Sequence, residues 1–142
     1  LQNNIPNITG DGTYYVILFD TVQQQTGSDY NPATGLFTVP LTGYYVFSWS
    51  FVATNLAVAS FEGMYCHLVQ SGGGAPYATV CNPNLTKSLT SGLSDEIGFS
   101  GSAVLFCTAG DTVGIRFYVA NGTKTVGVLG NKESAFGGVR IR

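Results

Sequence analysis

The stretch from residue 16 to residue 51 reads VILFDTVQQQTGSDYNPATGLFTVPLTGYYVFSWSF. In an extended chain, its last part places large aromatic side chains on one face, at Tyr45, Phe47, Trp49 and Phe51. Ser48 and Ser50 then fall on the opposite face. A period of two residues is typical of a strand with one buried side. The pattern therefore predicts a strand over Gly43–Thr54 whose aromatic side faces a core.

The residues before this strand alternate between apolar runs and turn signals. Tyr14–Val22 is predicted as a strand because it is mostly apolar. Residues 30–35 read YNPATG, in which Asn and Pro favour a tight reversal and Gly35 can adopt a positive φ.

The rest of the chain repeats this organisation. No segment has a sustained helical period, and short strands separated by Gly-rich turns indicate an all-β sandwich or jelly roll. The further strands predicted are Leu36–Val39, Gly63–Gln70, Tyr77–Asn82, Ala103–Thr108, Thr112–Ala120, Thr125–Leu129 and Phe136–Ile141. Residues 1–13 are interpreted as an irregular N-terminal arm, and residues 14–142 as a single domain.

Composition limits the classes of function. Only 10% of the 142 residues are charged, against about 25% in typical soluble domains, so we expect partner subunits to cover part of the surface. The six basic residues are scattered and the net charge is −2, which argues against nucleic-acid binding. No apolar run approaches the roughly 20 residues that a membrane helix needs.

A series of residues in this order resembles the globular head of the C1q family. The residues are Phe19-Asp20, Gly27, Tyr30-Asn31, Thr34-Gly35, Phe37, Pro40, Gly43, Tyr45 and Phe47, followed by Gly110-Asp111-Thr112-Val113 and by Ser134-Ala135-Phe136 with Gly138. The resemblance implies an all-β, C1q/TNF-like jelly roll of about ten strands that assembles as a secreted homotrimer. It also implies an inner sheet built from the strands predicted at residues 43–54, 112–120 and 136–141. The side chains expected in the core or at the three-fold contact are Tyr45, Phe47, Phe117 and Phe136.

The same resemblance implies the function. Stalkless C1q-domain proteins of lectin-like type are the nearest likeness, which favours an innate-immune recognition module that binds glycans or microbial surfaces through apical loops. Three equivalent weak sites would act together by avidity. The alternative is an extracellular structural trimer or a receptor-binding ligand of cytokine-like type.

Two of the three cysteines are predicted to form a disulfide. A two-residue turn at Gly73-Gly74 would place Cys66 directly opposite Cys81, at a Cα separation of about 5.5 Å that a disulfide accepts. Complement C1q chains carry a cysteine pair across a similar region. Two buried free thiols are the alternative. Cys107, in an apolar strand, is expected to be a small buried hydrophobic residue.

Catalytic chemistry has no sequence support. The single histidine, His67, lies in the middle of a predicted strand. No nucleophile elbow, phosphate-binding loop or Cys-x-x-Cys motif is present. We therefore predict that the protein is not an enzyme.

Asp95 and Glu96 are candidate calcium ligands, because several C1q-like heads bind calcium with acidic residues of the corresponding loop. Calcium takes six to eight oxygen ligands, so symmetry-related chains, carbonyls and water would complete the site. A solvated acidic loop is the alternative interpretation of these two residues.

Loop residues supply the other candidate sites. Tyr77, Asn82 and Asn84 combine an aromatic ring with amides and are candidates for carbohydrate binding. Three Asn-x-Thr sequons beside turn-forming sequence predict N-glycosylation at Asn7, Asn84 and Asn121.

Overall fold

A computed structural model of the chain describes residues 3–22, 28–56, 63–71, 78–81, 96–120, 122–130 and 134–141, of which 78–81 are described by their backbone. Within these ranges the chain forms eleven strands and no helix. The strands are β1 Ile5–Thr9, β2 Tyr14–Val16, β3 Tyr30–Asn31, β4 Leu36–Thr38, β5 Gly43–Thr54, β6 Gly63–Gln70, β7 Ala78–Cys81, β8 Ile97–Cys107, β9 Thr112–Ala120, β10 Val126–Val128 and β11 Ala135–Arg140.

The strands form two antiparallel sheets. In sheet 1, β5 is central: it pairs with β8 along one edge and with β10 and β11 along the other, and β1 extends the sheet beyond β10. In sheet 2, β9 is central, with β6 and then β7 on one side and β2 and β4 on the other. β3 pairs with β4 at the edge of sheet 2. The fold class predicted from the sequence is confirmed.

The core lies between the two sheets and is mostly aromatic. The predicted alternation in β5 is confirmed, because Tyr45, Phe47, Trp49 and Phe51 are all at most 4% exposed while Ser48 is exposed and Ser50 half-buried. Phe51 of sheet 1 meets Phe117 of sheet 2 edge-on, with ring centroids 5.2 Å apart. Burying each such side chain contributes about 1.5–3 kcal/mol, so β5 is the main apolar contributor of sheet 1 to the sandwich.

The turn predicted at residues 30–35 is also present. The N–H groups of Thr34 and Gly35 both donate to the Asn31 carbonyl, and Gly35 has a φ of 71°. A Cβ at Gly35 would lie 2.5 Å from the Ile17 carbonyl oxygen. Only glycine therefore fits both the left-handed backbone and the close approach of the neighbouring chain.

The N-terminal arm and the first strand differ from the prediction. Ile5–Thr9, expected to be irregular, forms β1 and pairs with β10 through an irregular register. The predicted strand Tyr14–Val22 is regular only over Tyr14–Val16. The arm is ordered because it contacts the sandwich. The buried hydroxyl of Thr9 accepts a hydrogen bond from the Val119 N–H of β9, and this contact holds the arm against sheet 2.

Two further strands differ in length or in sheet. β8 begins at Ile97, six residues before the predicted strand at residues 103–108, because its glycines and serines pair with the whole length of β5. β9 was expected beside β5 and β11 in one sheet, and this expectation is wrong. β9 instead forms the centre of sheet 2 and shares only the core with β5.

The β6–β7 hairpin has a register that rules out the predicted cysteine pair. Cys66 pairs with Val80, and Cys81 pairs with Tyr65. A one-residue offset moves the two positions to opposite faces of the sheet. Cys66 is a buried free thiol, so the predicted Cys66–Cys81 disulfide is wrong and the free-thiol alternative holds for Cys66.

Candidate functional site

The outward side of sheet 1 carries an apolar patch at one end. It consists of two cross-strand rows, each with one residue from β5, one from β8 and one from β11 or the residue after it. We call it the apolar patch, and its residues are Tyr44, Phe106 and Ile141 in one row and Val46, Val104 and Val139 in the other.

The apolar patch is exposed in the isolated chain. Val104 and Val139 are each 60% exposed, Phe106 is 56%, Ile141 is 54% and Tyr44 is 48% exposed. The Tyr44 and Phe106 rings meet edge-on, with centroids 5.2 Å apart. A contiguous group of large, exposed apolar side chains is typical of a protein interface.

The other end of the same surface is made of small residues. Gly137, Ser48 and Ser102 form the next row, followed by Ala135, Ser50 and Ser100. Small side chains permit another backbone to approach the sheet closely. The outward side of sheet 1 thus has one end with large apolar side chains and another end with small, mostly polar residues.

The outward side of sheet 2 carries a different group of residues. Tyr14 on β2 lies opposite Tyr118 on β9, which lies opposite Tyr65 on β6. His67 lies two residues beyond Tyr65 and opposite Arg116. We call Tyr14, Tyr65, His67, Tyr118 and Arg116 the aromatic cluster.

The rings of the aromatic cluster are in contact with one another. The Tyr14 and Tyr118 centroids are 4.5 Å apart, and Tyr65 lies 5.7 Å from Tyr118. His67 lies 5.8 Å from Tyr65 and 6.0 Å from Tyr14. The Cζ atom of Arg116 lies 5.0 Å from the centre of the Tyr14 ring, in a cation–π arrangement.

The aromatic cluster carries one positive charge near neutral pH, that of Arg116. Partial burial, and in second place the positive charge of Arg116, lower the pKa of His67 below its ordinary value of 6.5. The imidazole is therefore neutral at pH 7, and the guanidinium is the only charge on the cluster.

A cavity of 910 Å³ lies between the sheets, along the edge of β11 that no described strand covers. Phe19, Tyr30 and Phe136 line its wall, with Asp29 and Arg140 also contributing. The Tyr30 hydroxyl accepts a hydrogen bond from the Phe19 N–H, so this polar group is already engaged. The volume lies within the range of about 300–1,000 Å³ of small-molecule sites, and the wall combines aromatic rings with polar side chains such as Asp29 and Arg140.

The family model of the C1q domain matches residues 7–139. The chain belongs to the C1q domain family. Domains of the C1q and TNF-like type are generally non-enzymatic recognition modules, are typically extracellular, and typically self-associate as trimers. No helix in the described part of this C1q domain is long and apolar enough to cross a membrane.

Solved structures support the same fold. The globular domain of zebrafish complement 1qA protein superposes with a TM-score of 0.58 at 20% identity, covering 99% of this chain and 98% of that one. Murine APRIL matches at 14% identity with a TM-score of 0.55, over 82% of this chain and 76% of that one. Eiger TNF from S. frugiperda matches at 18% identity with a TM-score of 0.54, over 77% and 66%.

The predicted core residues of this C1q domain are placed in the core. Tyr45, Phe47 and Phe117 are at most 1% exposed, and Phe136 packs partly buried against them. Phe136 stacks on Phe47 with centroids 6.0 Å apart. All four aromatic side chains therefore pack in or against the core, and the exposed large side chains of the described residues include those of the apolar patch.

The predicted metal, carbohydrate and glycan sites fall mostly outside the described residues. Glu96 is exposed immediately before β8, whereas Asp95 lies outside the described ranges. In the described ranges no three His, Cys, Asp or Glu side chains are grouped to hold a metal ion. The positions predicted as carbohydrate ligands or sequons that also lie outside them are Tyr77, Asn82, Asn84 and Asn121.

Asn7 is the sequon asparagine that the structure describes. It is exposed and has a φ of 56° within the irregular β1 strand. The Thr9 hydroxyl of the same sequon is fully buried and donates to the Thr13 carbonyl. A glycan at Asn7 would project into solvent, whereas the threonine that the sequon requires is fixed in the fold.

Sequence reasoning missed the aromatic cluster. A signal existed, because Tyr65 with His67 and Arg116 with Tyr118 each have the spacing of two that places both residues on the same side of a strand. These pairs are about fifty residues apart in the chain, and only the register of β2, β6 and β9 brings them together.

Proposed function

We propose that this C1q domain forms a homotrimer through the outward side of sheet 1 and acts as an extracellular recognition module for glycans or microbial surface ligands. The observation that supports this proposal best is the apolar patch. It exposes five apolar side chains, and a half-buried Val46 between them, in one continuous group on a chain whose charged content is only 10%.

Covering the apolar patch supplies the driving force for assembly. Removing apolar surface from water contributes about 25 cal/mol per Å². Copies of the same chain are the natural partner, because domains of this type typically form trimers. The small residues at the other end of the sheet, such as Ser102 and Gly137, would let neighbouring backbones pack closely.

Trimerisation through sheet 1 would leave sheet 2 on the outside of the particle. Three copies of one ligand site would then be held at fixed separations. Multivalent binding of this kind converts weak single-site affinities into strong attachment to a repetitive surface. Glycans on cells and microbes are repetitive in this sense.

A receptor-binding trimer of cytokine-like type is the second candidate. It is favoured by the similar TM-scores of the C1q and the two TNF-like structures, 0.58 against 0.55 and 0.54. At identities of 14–20% these likenesses concern the fold alone. A single protein receptor, rather than a repeating saccharide, would be the ligand in that case.

Two measurements test the proposal together. Light scattering coupled to size exclusion should give three times the mass of one chain at micromolar concentration. A glycan array, probed with the trimer in the presence of calcium and in the presence of EDTA, should show selective saccharide binding, and a loss of signal in EDTA would support calcium binding by Asp95 and Glu96. A monomeric mass, or an array without any binding while one cell-surface protein is captured stoichiometrically, would overturn it.

A further inference from the structure

We propose that the aromatic cluster on sheet 2 is a binding site for an acidic saccharide, a pyranose ring that carries one carboxylate. The inference deepens the proposed function and rests on it for the class of ligand. It differs from the sequence-based expectation, which placed carbohydrate binding in the loops at Tyr77, Asn82 and Asn84. It is carried by five side chains that three strands bring onto one outward surface.

The cluster is built on rigid elements. Tyr65 and His67 are on β6, Arg116 and Tyr118 are on β9, and both strands belong to the continuous centre of sheet 2. Their neighbours on the inward side, such as Cys66 and Phe117, are fully buried. Because the backbone is held by the core, the positions of the rings are set before any ligand arrives, which lowers the entropic cost of binding.

The cluster is not needed to fill the core. Tyr14 is 47% exposed, Tyr65, His67 and Tyr118 are half-buried, and Arg116 is exposed. Within the described ranges, no hydrogen bond is made by the hydroxyl groups of Tyr14, Tyr65 or Tyr118. Three aromatic rings, grouped on a surface and with hydroxyls that no other described residue engages, offer both apolar contact and hydrogen bonding.

Arg116 determines the charge of the ligand. Within the described part of the chain its guanidinium donates no hydrogen bond and forms no ion pair, and it lies over the Tyr14 ring. A guanidinium that lies over a ring keeps its N–H groups in its own plane, where a carboxylate can accept two of them at once. A bound carboxylate would give this cation the partner that the described residues do not supply.

The rest of the ligand follows from the rings. A pyranose presents a flat face of C–H groups that matches an aromatic surface, and hydroxyl groups at its rim that match the tyrosine hydroxyls. A cationic ligand is disfavoured because Arg116 already occupies the Tyr14 ring. A polyanion such as nucleic acid would require several cations, whereas the cluster has one and the chain carries a net charge of −2.

The first experiment compares two sugars that differ only in the carboxylate, methyl β-D-glucuronide and methyl β-D-glucoside. His67 is the single histidine of the chain, so its imidazole NMR signals report on the cluster without assignment of the whole spectrum. The glucuronide should shift these signals saturably with a dissociation constant of about 1 mM, and the glucoside should leave them unchanged. Equal shifts with both sugars, or none with either, would overturn the inference.

The second experiment uses a matched pair of variants on polygalacturonate beads. Arg116→Gln should weaken retention of the protein at least about tenfold, because it removes a charge-assisted pair. Lys124→Gln removes one positive charge from an exposed position in the turn before β10 and should bind as the original protein does. Retention of the Arg116→Gln variant at full strength would overturn the inference, as would tighter binding of uridine 5′-monophosphate than of the glucuronide at His67.

These outcomes separate the inference from the proposed function. If the Arg116→Gln variant binds the glycan array as the original protein does, the protein would be a recognition trimer whose ligand site lies elsewhere. A monomeric chain that still binds glucuronide through Arg116 would keep the site and remove the trimer.

Discussion

The two sheets of this C1q domain share one core and have opposite outward surfaces. Sheet 1 presents the apolar patch, which in the isolated chain leaves Val104, Phe106 and Val139 more than half exposed. Sheet 2 presents the aromatic cluster, whose rings lie against one another and carry the charge of Arg116. The difference teaches that alternate positions of one strand can differ completely in chemistry, because one set packs in the core and the other remains on the surface.

The two surfaces also differ in how well water can solvate their side chains. The apolar patch gains only by being covered, because its side chains have no polar groups apart from the Tyr44 hydroxyl. The aromatic cluster contains a cation, an imidazole and three hydroxyls, which water solvates well. This difference in chemistry is the basis for proposing assembly through sheet 1 and ligand binding on sheet 2.

The largest expected effect comes from placing a charge in the apolar patch. Val104→Asp should dissociate the trimer, raising the concentration at which it assembles by at least about a hundredfold, because an unpaired buried carboxylate costs several kcal/mol. Light scattering across a dilution series measures this change. Val69 on β6 is a half-buried residue on the outward side of sheet 2, and Val69→Asp should leave the mass of the folded protein unchanged. Equal behaviour of the two variants would break the distinction between the surfaces.

The next effect concerns the core that both surfaces depend on. Gly101 lies opposite Trp49, and a Cβ there would be 2.4 Å from the indole Cζ2 atom. Gly101→Ala should lower the free energy of unfolding by about 1–3 kcal/mol through overpacking, and trimer mass and ligand binding should be lost together as the protein unfolds. Gly98→Ala, on the same strand with no atom within 4 Å of the new Cβ, is the matched control. Guanidinium unfolding at equal protein concentration should leave the control within about 0.5 kcal/mol of the original.

A smaller, chemical effect tests the buried thiols beneath both surfaces. Burial raises the pKa of the Cys66 thiol to about 12, which a contact with Trp49 offsets only in part, and burial also raises the pKa of Cys107. Neither residue should react with iodoacetamide at pH 8 in the folded protein, because the reactive thiolate is absent. Both should react in guanidinium without a reducing agent. A non-reduced peptide linking Cys66 to Cys81 in the mass spectrum would contradict the register of the hairpin.

Sequence reasoning succeeded where a single segment contains its own signal. The aromatic alternation of β5 and the turn that ends at Gly35 are both local patterns, and both are present. The first half of β8 could not be predicted, because Gly98, Ser100 and Gly101 have low strand propensity and are extended only through pairing with β5. Local propensity was overridden there by tertiary contact.

Relations between distant segments were the other source of error. The placement of β9 in sheet 2 and the offset that separates Cys66 from Cys81 depend on which strands pair and in what register. The aromatic cluster has the same origin, since Tyr14, Tyr65 and Tyr118 come from three strands. A spacing of two residues predicts which side chains share a face of one strand, but not which strand lies beside it.

The smallest expected effect is the titration of His67. The His67 ring lies near the rings of Tyr65 on β6 and Tyr14 on β2. On the neighbouring strands His67 pairs with Arg116 of β9 and with Thr79 of β7, which carries no charge. Because partial burial and then Arg116 lower the pKa of the folded imidazole below 6.5, the unfolded chain binds more protons, and stability should fall as the pH falls below 6.5. Above pH 6.5 the stability should not depend on the protonation of His67.

NMR titration of this single histidine should give a midpoint below 6.5, and Arg116→Gln should raise that midpoint without restoring it to the ordinary value, because burial is the larger cause. Methyl β-D-glucuronide should also raise it in the original protein, since a carboxylate beside Arg116 offsets the positive charge. Methyl β-D-glucoside should not. A midpoint at or above 6.5 in the unliganded protein would mean that the imidazole is solvated and distant from Arg116, and the aromatic cluster would then be a group of separate side chains rather than one site.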